Sequence, residues 1–281
     1  MSRKIVFIHG AWVTPLCWEK FQARYEERGY ECLAPAWPYD DRPVEDLRRD
    51  PAPQILHLGI AEIVDHYDAI IRGLDEPPIL VGHSFGGLFV QLLLDRRLGA
   101  AGVAIDPAPP RGVLPGPTAL VSSFFVLTTW RSWKKVLTFP YHAFAGSFVQ
   151  NLPEAEQRAA YDRYVVPTPG RIFLQDALGV GTHIDYDSSN RAPLLLIAGE
   201  IDRTVQASMV RANYRKYRRS AADVDFEEFP GRTHWLIASP GWEEVADFAL
   251  RWAEEHVPGN EARGGRGRHG MRRVGRADAV R

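Results

Sequence analysis

The sequence predicts an α/β protein built on a parallel sheet, and three observations carry that prediction. Short apolar runs rich in β-formers end, one after another, in Gly- or Pro-containing loops. Between them lie stretches with apolar residues at helical spacing. The alternation then breaks once, between about residues 111 and 190, and resumes at Pro193. Composition agrees with a globular chain of this kind: 281 residues, 45% hydrophobic and 25% charged.

The first strand is read at Lys4 to Ile8 and runs into His9-Gly10-Ala11-Trp12. Trp18, Phe21 and Tyr25 then mark one helix face within Leu16 to Arg28, with Gly29 as its stop. Glu31 to Pro35 is a second strand. The polar, Pro-rich stretch from Trp37 to Gln54 reads as a loop near a pocket mouth. Ile60, Ile63, Val64, Tyr67, Ile71 and Leu74 describe an amphipathic helix that Pro77-Pro78 ends. Ile79 to Val81 follows as a strand, then the helical run Leu88 to Leu94, then a strand at Gly102 to Ile105. After the broken segment come a strand at Leu194 to Ala198, a basic helix from Ala207 to Ser220, a strand from Val224 towards Phe229, and a last helix from Pro240 to His256.

The broken segment is dense in aromatics. Its composition suits several short helices, one of them opened by Pro153. Trp130, Trp133, Phe139 and Phe144 are candidates for lining an apolar substrate pocket, although the same rings also suit the segment's own core. The expected organisation is a core of residues 1–110 and 191–257, a helical lid at 111–190, and a Gly/Arg-rich tail at 258–281. The tail holds seven arginines against Glu261 and Asp278. It has too few apolar residues to order itself, and without interleaved aromatics it does not imply nucleic acid. Gly112 to Trp130 is uncharged and about as long as a membrane span, but Pro115, Gly116 and Pro117 make it a poor one. Cys17 and Cys32 are too few for a disulfide framework, and no Cys/His spacing suggests a metal. With no signal segment read at Met1-Ser2-Arg3-Lys4, the expected location is cytoplasmic.

The chemistry is signalled by Gly82-His83-Ser84-Phe85-Gly86. Strand before and helix after give this G-x-S-x-G the context of a nucleophile elbow. Such a turn strains the serine backbone and leaves room only for small neighbours, here Gly82 and Gly86. A serine hydroxyl near neutral pH needs a base, and an imidazole serves best when a carboxylate holds its tautomer. Asp202 in Gly199-Glu200-Ile201-Asp202 and His234 in Thr233-His234-Trp235 each follow a strand, so a parallel sheet brings them to the edge that carries Ser84. Asp106 is a rival acid and Glu200 a weaker one. Asp202 also suits a helix cap near Thr204. The backbone N–H of Phe85, with that of Trp12 or Ala11, suits an oxyanion hole. His9 reads as a buried residue that holds its loop.

With these motifs the chain resembles the α/β-hydrolase fold superfamily, in its branch of lidded serine esterases. The resemblance spans about residues 4–256. It implies Ser84 as nucleophile, His234 as base and Asp202 as acid, with no cofactor and no metal. It also implies a shortened α/β-hydrolase sheet of about six parallel strands, because the two strands that open the family's full sheet have no counterpart before Lys4. The expected function is hydrolysis of a small to medium apolar ester, lactone or thioester. C–C or C–CN cleavage, or cofactor-free peroxidase chemistry, is the alternative use of the same residues. The expected partner is a small-molecule substrate, with no nucleic acid and no membrane span.

Overall fold

The computed structural model describes residues 3–122, 124–188 and 190–257. Six strands form one parallel sheet: β1 (Lys4–Ile8), β2 (Glu31–Leu33), β3 (Ile79–His83), β4 (Ala101–Ile105), β7 (Leu194–Gly199) and β8 (Val224–Phe229). They lie in the order β2-β1-β3-β4-β7-β8. The four inner strands are continuous apolar runs, buried on both faces except at Lys4, as a sheet covered on both sides requires. The edge strands β2 and β8 are only partly buried.

Helices α1 (Glu19–Glu26), α3 (Ile60–Arg72), α4 (Phe85–Asp95), α10 (Ala207–Lys216) and α11 (Trp242–His256) flank the sheet. Tyr25 of α1 donates to the Ala246 carbonyl of α11 at 2.7 Å. All of α4 except Asp95 is buried, and Val90 and Leu94 lie close over Gly102 of β4. The stretch from Trp37 to Gln54 is not wholly loop. It contains α2 (Val44–Arg49), with Glu45 and Asp46 in its first turn and Arg48 and Arg49 in its last, as the helix dipole favours. Val44 and Leu47 bury a small face against Val166.

The chain order reverses between β1 and β3, where it first runs outward to β2 and then returns to the other side of β1. A crevice opens at the carboxyl ends of strands around such a switch point. Here the loop after β1 and the turn after β3 meet: a Cβ placed on Gly10 would lie 2.7 Å from Ser84 Cβ.

Between β4 and β7 run α5 (Pro117–Ser122), α6 (Phe124–Thr128), α7 (Tyr141–Ser147), α8 (Glu154–Tyr164) and α9 (Arg171–Ala177). A short antiparallel ladder of β5 (Val136–Leu137) and β6 (Thr168–Pro169), not foreseen from the sequence, ties two interior parts of this segment. Its rings form one cluster. Phe139 stacks on Trp12 at 4.3 Å and meets Phe144 at 6.0 Å and Phe148 at 5.0 Å. Among the described residues no helix is long and apolar enough to cross a membrane. The Gly/Arg-rich tail lies outside the described residues.

Candidate active site

Ser84 sits between β3 and α4 with φ 57° and ψ −121°. Side chains rarely adopt such a backbone, and strain of this kind persists only where packing enforces it. The enforcing contacts are severe. A Cβ on Gly82 would fall 2.1 Å from the Gly86 carbonyl oxygen, and one on Gly86 would fall 1.9 Å from that of Ile8. Trp12 and Asp106 are also held at positive φ, 64° and 41°, just beyond β1 and β4. Three of the six non-glycine residues at positive φ among the described residues thus stand at the strand ends that surround the crevice.

His234 is wholly buried, and its Nδ1 lies 2.6 Å from Asp202 Oδ2. A carboxylate only accepts, so Nδ1 carries the proton and the ring is the tautomer with Nε2 bare. Nε2 is buried and has no hydrogen-bond partner among the described residues, Ser84 included. The ring of His83, next to Ser84 in the chain, lies 4.6 Å from that of His234. Phe148 closes the other side of the imidazole at 4.4 Å.

Asp202 meets both descriptions that its sequence position allows. Oδ1 accepts from the N–H groups of Thr204 (2.6 Å) and Val205 (2.9 Å), while Oδ2 faces His234. Asp106 is closer to the site than a plain turn would be: its Oδ2 is 3.9 Å from His234 Nδ1, and its Oδ1 accepts from Gly199 N–H at 2.8 Å. Complete burial, then the neighbouring Asp202 carboxylate, push the Asp106 carboxyl well above the usual range. Glu200 is exposed and accepts from Gly231 N–H, away from His234.

The two candidate donors on the β1 loop separate cleanly. Trp12 N–H donates to Thr168 Oγ1 at 2.7 Å, a tie between the core and the inserted segment. Among the described residues Ala11 N–H makes no such bond. Phe85 opens α4, where an N–H lacks an intrahelical acceptor. His9 holds its loop as read from the sequence. Nδ1–H donates to the Gly10 carbonyl at 3.0 Å, Nε2 accepts from Trp37 N–H at 3.2 Å, and burial pushes the imidazole down to about 4.

Ser84 opens onto a cavity of about 480 Å³ whose wall includes Ala11, Trp12, Phe85, Val126, Phe173 and Met209. Of the four aromatic candidates only Trp133 lines it. Phe139 and Phe144 are fully buried in the ring cluster, and Trp130 is 80% exposed. Sequence reasoning missed Phe173 and Asp176 of α9, because nothing in that amphipathic stretch distinguishes a cavity wall from a helix face. His83, Asp106 and His234 also bring ligand-type atoms within 4.8 Å of one another. Each imidazole already has one nitrogen engaged, His83 Nε2 by the His234 carbonyl at 2.7 Å. The group is a hydrogen-bonded cluster at the strand ends, and no metal is assigned to it.

The family described as "Alpha/beta hydrolase family" matches residues 5–248. A curated relative, Methylesterase 8 of Arabidopsis thaliana, is 23% identical over 225 residues, covering 75% of this chain and 76% of that protein. Among solved structures, the monoacylglycerol lipase of Paleococcus ferrophilus superposes with a TM-score of 0.62 at 21% identity, covering 90% of this chain and 94% of the other. Tomato Methylketone Synthase I, solved with 2-tridecanone, superposes with a TM-score of 0.66 at 16% identity, covering 91% and 99%. At these identities the structural likeness speaks for the fold alone.

Proposed function

The chain belongs to the alpha/beta hydrolase family, and from that premise we propose that it hydrolyses carboxylic esters through an acyl-enzyme on Ser84. One observation carries the reading. A buried imidazole is fixed by a carboxylate at 2.6 Å with its second nitrogen bare, at the same sheet edge as a strained serine that opens onto an apolar cavity.

In this reading His234 Nε2 takes the Ser84 proton as Oγ attacks the ester carbonyl. Asp202 holds the Nδ1–H tautomer and stabilises the imidazolium. The N–H groups of Phe85 and Ala11 receive the developing oxyanion. The proton then passes to the leaving alcohol, and a water activated by His234 frees the acid. Asp202 rather than Asp106 is the working carboxylate in this reading, because Asp106 Oδ2 stands 3.9 Å from Nδ1 and Asp202 Oδ2 stands at 2.6 Å. The name of the curated methylesterase supports an ester, and a cavity of about 480 Å³ suits a small to medium apolar one. Lactones and thioesters pass through the same steps.

A panel of chromogenic esters of increasing chain length tests the proposal. Wild type should show an optimum at short to medium acyl chains. Ser84→Ala should lower turnover by on the order of 10⁴-fold or more while the protein stays folded. Retention of most activity in that variant would overturn the reading. One finding favours a second reading, in which the same residues run non-ester chemistry such as C–C cleavage: a neighbour in fold carries a synthase name. A panel that stays blank for every ester would favour it.

A further inference from the structure

The serine and the imidazole of the site are held by different parts of the chain. Ser84 is pinned by the sheet and its loops: its N–H donates to the Ile105 carbonyl at 3.0 Å, and its own carbonyl accepts from Ala108 N–H at 2.9 Å. His234 stands on a loop that follows β8, an edge strand that is only partly buried. Proton transfer to a general base needs the two atoms within about 2.6–3.2 Å. The loop must therefore be registered against the turn that carries the serine.

His83 makes that connection. It ends β3, is buried, and is covalently next to Ser84. Its Nε2 lies 2.7 Å from the backbone carbonyl oxygen of His234. A carbonyl only accepts, so this nitrogen carries the proton and donates. Among the described residues it is the one hydrogen bond between the turn at residues 82–87 and the loop at residues 230–239. On the other side of that loop, Trp235 N–H donates to the Phe148 carbonyl at 3.2 Å. His83 is not among the described residues that line the Ser84 cavity.

We propose that His83 is a positioning residue: its N–H ties the base to the nucleophile turn and so sets the distance and angle at which His234 meets the Ser84 hydroxyl. The effect on rate rests on the acyl-enzyme reading of Ser84 and His234, whereas the effect on where His234 sits does not. Satisfying a buried carbonyl is by itself a structural role, and it predicts lost stability with an unchanged rate per folded molecule. Positioning predicts a lower rate at unchanged substrate binding, because a misplacement of about 1 Å costs on the order of a hundredfold.

Substitutions at His83 separate the two roles. His83→Gln carries its amide N–H about as far from the backbone as Nε2, His83→Asn stops short of it, and His83→Phe fills the place of the ring without a donor. Each is compared with wild type for the rate at which a phosphonate labels Ser84, for kcat and KM on one ester, and for denaturant unfolding. His83→Phe and His83→Asn should label on the order of a hundredfold more slowly, with kcat falling alike and KM within about threefold. His83→Gln should recover about tenfold or more of that loss. The far-downfield proton resonance of His234 Nδ1–H, which is bonded to Asp202, should shift or broaden in His83→Phe and return in His83→Gln. Labelling of folded His83→Phe at the wild-type rate, or His83→Gln as slow as His83→Phe, overturns the proposal. If wild type takes no label and turns over no ester, the acyl-enzyme reading fails and the resonance decides: displaced in His83→Phe it upholds the tie, unchanged it overturns it.

Discussion

The strand-end residues and the 111–190 segment solve opposite problems. At the strand ends position is everything. Ser84, Asp202 and His234 come from three loops, yet each is fixed by backbone contacts of the central sheet, and the glycines at the turn leave no slack. The inserted segment is built of short helices, leaves Trp130, Leu114 and Val121 largely exposed, and reaches the Ser84 cavity through residues such as Val113, Ala119, Val126 and Phe173. The difference teaches where each kind of function resides. The sheet edge fixes Ser84, Asp202 and His234 close together, and the segment supplies part of the wall of the cavity that Ser84 opens onto.

The sharpest way to break this division is to exchange the two buried acids. Asp202→Asn should lower kcat by on the order of 10³–10⁴, because an amide no longer holds the required tautomer. Asp106→Asn should cost about tenfold or less, because its carboxyl stands 3.9 Å from His234 Nδ1, beyond hydrogen-bond range. Steady-state kinetics on one ester rank the pair, and the reverse ranking would move the acid role to Asp106.

Packing offers the next contrast. Gly86→Ala forces a Cβ into the Ile8 carbonyl and should destabilise the fold by about 3 kcal/mol or more. Trp130→Ala, on an exposed surface of the segment, should stay within about 0.5 kcal/mol. Denaturant unfolding of both variants measures the gap, and similar losses would show that the segment is as tightly specified as the core.

A smaller effect sits at Asp176. Its carboxyl keeps a proton up to about pH 8 in the folded chain and loses it near its ordinary value of 3.8 when unfolded. Between those values the unfolded state binds fewer protons, so this group lowers stability as pH rises and its effect levels off above about 8. Asp176→Asn should therefore raise Tm by a few degrees at pH 8 and by less at pH 5. An equal gain at both pH values would show that the acid is not buried as described.

Much of the sheet was legible because its signals are local. A fully apolar run such as Leu194 to Ile197 can only be an inner strand, and G-x-S-x-G between strand and helix has few other uses. The strand ends also told that Asp202 and His234 would lie near one another, as their 2.6 Å contact shows, with Asp106 close behind at 3.9 Å. What stayed hidden depends on distant contacts. Trp12 N–H is taken by Thr168, 156 residues away, and no local pattern announces it. Phe139 and Phe144 look like pocket rings by type, but the cluster they share with Phe148 turns them into core. Helix α2 escaped because its buried face is only Val44 and Leu47, too short to show a period.

The central claim is that the Ser84 oxygen is activated by His234, and covalent labelling tests it most directly. A serine-directed phosphonate should attach to Ser84 alone, as read by peptide mass spectrometry. His234→Ala should slow the labelling on the order of a thousandfold or more, and Asp106→Asn should leave it within about tenfold. A label elsewhere in the chain, or labelling of Ser84 at an unchanged rate without His234, would contradict the account.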